Sequence, residues 1–147
     1  MIHINIINDY GDNISPNKIL IKKTLENLFK DQKISEAKVS IIISNKFLLN
    51  KLKKNYFNTD QFTDVIAFNL EDKDAPIDGE VYISIDDVID NANKYQQSFN
   101  LEFKRVLIHG TLHLLGFEDS TTTKKNIMTN LEDKYMDLDN KDIISII

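Results

Sequence analysis

The sequence predicts an α+β fold: a single domain over residues 1–147 in which a small four-stranded mixed sheet packs with about five helices. Two observations predict it. Short β-branched or alternating runs occur four times before residue 86, and stretches of helical spacing then fill most of the remainder. No repeat or low-complexity tract breaks this order. A chain of 147 residues can bury about 68–70% of the surface its unfolded form exposes, so no covalent staple is needed.

Ile2 to Ile7 alternates isoleucine with polar residues and opens the domain as a strand. Ser15 followed by Pro16 marks a helix start, because proline's fixed φ suits the first turn, and Ile19, Leu20, Leu25, Leu28 and Phe29 then keep a helical spacing. Val39 to Ile43 is a β-branched run, read as a buried strand. Asn45 caps a second helix carrying Phe47, Leu48, Leu52 and Tyr56. Val65 to Leu70 is a third strand; the acidic stretch Glu71 to Asp78, with Pro76, is a loop; and Gly79 to Ile85 is a fourth strand near enough to pair with the third. Three helices follow, roughly Asp86 to Gln97, Leu101 to Leu115 and Thr122 to Met136, the last with Ile127, Met128, Leu131 and Tyr135 on one side. The short apolar tail, Ile143 to Ile147, either packs on the sheet or frays.

His109 and His113, two of the three histidines in the chain, stand four residues apart in the penultimate helix. At 3.6 residues per turn they share a face, with Cβ atoms about 5–6 Å apart, and both imidazoles can reach one cation. That helix is apolar almost all round and is expected to be buried, where an imidazole without a partner costs about 1–3 kcal/mol. Gly116 is the usual left-handed helix stop. Continued as helix, the chain would carry Asp119 about 240° around the axis from His113; broken at Gly116, it can fold Asp119 back. The pattern HxxxHxxGxxD then offers two nitrogens and one carboxylate oxygen, a three-ligand zinc shell with one position left for water. A bare HxxxH also describes two unrelated polar residues on a helix. The glycine stop and the carboxylate beyond it favour the metal. His3, in the first strand, reads as structural or exposed.

There is no cysteine, which excludes disulfides, zinc fingers and thiol catalysis. The net charge of −5 argues against a uniformly basic nucleic-acid coat. Lysines cluster at Lys46, Lys51, Lys53 and Lys54, at Lys22 and Lys23, and at Lys124 and Lys125, while Arg105 is the only arginine. No apolar run approaches the roughly 20 residues that span a bilayer, and the first residues lack a charged leader. A soluble cytoplasmic protein is expected.

The segment from His109 to Asp119 resembles the HGxLHLxGxDH signature of the YbeY family. Leu49-Asn50 and Asn55-Tyr56, Thr63 to Phe68, Gly79 to Ser84, and Met128 with Leu131-Glu132 resemble further family segments in the same order. This likeness spans nearly the whole chain. It implies a zinc-dependent endoribonuclease that matures the 3′ end of 16S ribosomal RNA and serves small-subunit assembly and quality control, with ribosomal RNA and small-subunit components as partners. Three positions depart from the pattern: Asp119 replaces the third histidine, Glu118 the preceding aspartate, and Phe57 an arginine. Aspartate is an acceptable zinc ligand, as in metzincin-type hydrolases, although its charge makes harder cations such as manganese more competitive. Losing the arginine removes a bidentate phosphate clamp for which Lys53 or Lys54 supplies only point charge.

The expected reaction is metal-assisted hydrolysis of single-stranded RNA at His109, His113 and Asp119. Glu118 and Glu80 are weak candidates for proton transfer. Gly110 stands where metzincin proteases carry their catalytic glutamate, which counts against peptide hydrolysis. The alternative is a noncatalytic, metal-bearing ribosome assembly factor.

Overall fold

The computed structural model describes residues 1–72, 74–137 and 140–147. The chain runs β1 (Ile2–Asn8), β2 (Ile14–Pro16), α1 (Lys18–Asp31), β3 (Ala37–Ser44), α2 (Lys46–Phe57), β4 (Val65–Asn69), β5 (Ile77–Ser84), α3 (Ile85–Lys94), α4 (Phe99–Leu114), α5 (Thr122–Met136) and β6 (Ile144–Ile146). Val39, Ile41, Ile42 and Ile43 are all buried, so β3 is covered on both faces, as a central strand must be. It pairs in parallel with β1 on one side and β5 on the other, and β4 runs antiparallel to β5 at the edge. The order β1-β3-β5-β4 is the mixed four-stranded sheet expected.

Three local expectations are corrected. The first helix starts after Asn17, whose side chain accepts from the Leu20 amide, and Ile14–Pro16 instead form β2. The tail neither frays nor joins the main sheet: β6 pairs antiparallel with β2, Ile14 opposite Ile146. Three-residue strands are too short to carry a readable periodicity. The strand after the acidic stretch begins earlier than expected, at Ile77, and Lys73 within that stretch lies outside the described residues.

Helix α4 positions the site. Ser98 caps it by accepting from the Leu101 amide. Phe103, Leu107, Ile108 and Leu112 are fully buried in its core face. It lies against β4 and β5 so closely that a Cβ on Gly110 would stand 2.5 Å from Val65 Cγ2 and 2.9 Å from Val81 Cγ1. Only a residue without a side chain permits that approach. Side chains alternate along a strand, so Val65 and Val81 face α4 while Phe68 and Tyr82 face the opposite side.

Candidate metal centre

At its carboxyl end α4 stops as its sequence requires. Gly116 takes φ +99°, its amide donates to the His113 carbonyl at 3.0 Å, and the Phe117 amide donates to the Leu112 carbonyl at 3.1 Å. This is a Schellman turn, and it reverses the chain. Asp119 is thereby folded back onto the helix: its Oδ2 lies 3.4 Å from His109 Nε2 and 3.6 Å from His113 Nε2, and the two Nε2 atoms are 2.9 Å apart. The sequence-predicted trio therefore meets. Their imidazoles stand nearly perpendicular, 81° between planes. Contrary to expectation the rings are not sealed in the core, with side chains 26% and 32% exposed, so solvent reaches the donors.

Hydrogen bonds fix which nitrogens face inward. His109 Nδ1 lies 2.9 Å from Glu132 Oε2, and His113 Nδ1 lies 3.0 Å from the Phe117 carbonyl oxygen. A carboxylate and a carbonyl only accept, so each Nδ1 must be the protonated donor and each Nε2 carries the lone pair. Three acceptors thus converge with no donor among them. Only a positive charge in the middle, proton or cation, makes this arrangement favourable. Two ligands held tetrahedrally at 2.0–2.1 Å stand roughly 3.3 Å apart, and the observed edges of 2.9–3.6 Å bracket that value. The donor set and its spacing fit a divalent ion.

Electrostatics agree. Burial pushes the His109 imidazole down, but the Glu132 hydrogen bond and charge, helped by Asp119 and Asp64, carry it above its ordinary value. Glu132 is itself gripped by Arg105, whose Nη1 stands 3.3 Å from Oε1, while its Nη2 reaches Asp133 at 3.2 Å. Beside His109 opens a cavity of about 200 Å³ lined in part by Asp64, Asn91, Tyr95 and Glu132. Burial raises the Asp64 carboxyl, which accepts from Asn91 Nδ2 at 3.3 Å.

The weaker candidates lie elsewhere. Glu118 is exposed and held by Lys124 Nζ at 2.7 Å, whose hydrogen bond keeps its carboxyl below the ordinary range. Glu80 neighbours Val81 on β5 and so faces away from α4. Phe57 ends α2 and stacks on Phe68, and His3 is exposed on β1. Position 110 points into the sheet, so a glutamate there would meet Val65 and Val81 rather than the donors. Glu132 and Asp64 are site residues that the sequence does not reveal, because their approach to His109 spans separations that no local spacing encodes. Their only signals were the acid before the edge strand and the Leu131-Glu132 pair.

Fold and site together define an α+β protein with a helix-borne two-histidine, one-carboxylate cluster that could hold a metal ion. Comparison with known proteins is consistent with this and more specific. Residues 6–139 match the family model for endoribonuclease YbeY. Curated proteins named endoribonuclease YbeY are 38% identical in Chloroherpeton thalassium, over 79% of this chain and 82% of that one, and 36% identical in Amoebophilus asiaticus, over 82% of each. The solution structure of TM1509 from Thermotoga maritima superposes with a TM-score of 0.63 at 29% identity, covering 92% of this chain and 87% of that chain. The chain belongs to the YbeY endoribonuclease family.

Proposed function

We propose that this protein is a cytoplasmic, metal-dependent endoribonuclease that cuts single-stranded RNA and acts in maturation of the 3′ end of 16S ribosomal RNA during small-subunit assembly. Convergence of His109, His113 and Asp119 carries the reading, since three acceptors at 2.9–3.6 Å call for positive charge between them and their spacing suits a divalent ion. Zinc suits two imidazoles and one carboxylate; manganese is the competitor. When bound, such an ion acidifies water and screens phosphate charge. The chain's own groups do the rest. Glu132 and the Phe117 carbonyl hold both imidazoles in the tautomer that keeps Nε2 bare. Asp64, with a carboxyl raised by burial, can carry a proton in the cavity beside His109. Glu118 must first leave Lys124 to accept one.

The direct test is cleavage of a single-stranded RNA by purified protein and by His113→Ala, with metal content measured on both. About one metal per wild-type chain, lost with activity in the variant, is the expected result. Equal cleavage by both proteins would end the reading. A noncatalytic assembly factor is the second reading, favoured by Phe57 in place of the motif arginine and by Glu118 being tied to Lys124. It predicts that His109→Ala and His113→Ala leave precursor processing intact and alter only stability.

A further inference from the structure

Resting on the RNA reading above, a second contact for the same substrate can be located away from the metal centre. Helix α2 carries Lys46, Lys51, Lys53 and Lys54 and no acidic residue, within a protein of net charge −5. Helix α1 also carries four lysines, but Glu26 and Asp31 offset two of them, so α2 is the helix with the largest net positive charge. At the end of that helix Tyr56 is 69% and Phe57 45% exposed. Phe57 stacks on Phe68 of β4 at 5.8 Å with 22° between planes, Tyr56 meets the same ring edge-on at 5.5 Å, and Tyr82 meets it from β5 at 6.0 Å. Lys53 Nζ stands 4.7 Å from the centre of the Phe57 ring. Exposed rings beside charge of one sign suit an interaction site.

We propose that the aromatic and lysine surface formed by α2 and β4 binds single-stranded RNA, bases stacking on Tyr56 and Phe57 while Lys53 and Lys54 neutralise adjacent phosphates. Rings interleaved with cations complement a polyanion bearing flat bases, which a protein partner would not require. An exposed lysine-ring contact is weaker than base stacking, so an incoming base can displace Lys53 from Phe57 and leave it to a phosphate. Among the described residues Lys54 pairs with Asp60, at 3.6 Å between side chains 52% and 74% exposed, a contact weak enough in water to yield. The patch lies on the sheet face away from α4, yet β4 is the edge strand. A nucleotide strand can therefore pass over β4 from the patch toward Asp64 and the cavity beside His109.

The test measures fluorescence anisotropy of a short labelled single-stranded oligoribonucleotide of mixed sequence, in chelator so that nothing is cut. Tyr56→Ala and Phe57→Ala should each weaken binding about 5- to 150-fold, and Tyr56→Phe should retain it. Combining Lys53→Gln with Lys54→Gln should lower the slope of log affinity against log salt by about 1.4, at roughly 0.7 per charge. Lys22→Gln, on α1 and away from the patch, should bind like wild type. If an aromatic variant fails to fold, the lysine pair still decides through the salt slope. Wild-type affinity and slope in all patch variants, beside His113-dependent cleavage by the wild type, would overturn the patch and leave the RNA reading standing. Neither binding nor cleavage by the wild type would remove both. RNA affinity retained while affinity for a ribosomal protein is lost would assign the surface to protein and overturn the proposal.

Discussion

His109 and His113 present lone pairs to each other at 2.9 Å with Asp119 beside them, and the metal-free protein must relieve that opposition with a proton. His109 titrates above its ordinary 6.5 when folded. Its contribution to metal-free stability is therefore fully present below 6.5 and is lost as pH rises through the folded value. Cation affinity runs the other way, because Nε2 must be bare, and should rise across the same window. Thermal melting of chelated protein and chelator-competition titrations at stepped pH check the two opposite slopes. Glu132→Gln removes the charge that orients and sustains His109, and should weaken metal binding about 10–100-fold without changing the circular dichroism spectrum. The three donors were legible because one helix turn and one glycine encode them locally. Glu132 and Asp64 were not, since only tertiary packing brings α5 and the start of β4 to His109.

At the scale of elements, α4 depends on two glycines for different reasons. Gly116 adopts φ +99°, so Gly116→Ala should destabilise the protein by about 1–2 kcal/mol and also loosen the metal, because the same turn aims the Phe117 carbonyl and Asp119. Gly110→Ala drives a methyl into Val65 and Val81 and should cost about 1–3 kcal/mol by overpacking, while the donors keep their relative spacing. Urea midpoints read both losses, and a metal titration separates them: the first variant weakens binding, the second leaves it near wild type. Long periodic helices and the β-branched strands were readable in the sequence for the reason that they bury continuous faces. The β2–β6 pair was not, because Ile14 and Ile144 belong to three-residue strands and Pro16 imitates a helix start.

For the whole molecule, a ligand that binds only the folded state stabilises it by mass action. Zinc at about 100 times its dissociation constant should add roughly 2.7 kcal/mol, or about 5–10 °C in melting temperature for a domain of this size. Differential scanning fluorimetry should show that shift in wild type and lose it in Asp119→Ala. Sheet order was only partly legible: adjacency announced the β4–β5 pairing, whereas placing β3 between β1 and β5 required the parallel crossovers that α1 and α2 provide. The charge pattern was visible as lysine clusters, but its concentration beside exposed rings needed the fold.

Glu132 belongs to α5, and its carboxylate is the only contact through which that helix touches a donor imidazole among the described hydrogen bonds. Whatever seats α5 more firmly therefore also prepares the ion's berth, and thermodynamic reciprocity obliges the ion to return the favour by an equal factor. A macromolecule that clasped α5 would act as a loading factor for the metal, and a chelator would act as its competitor at a distance.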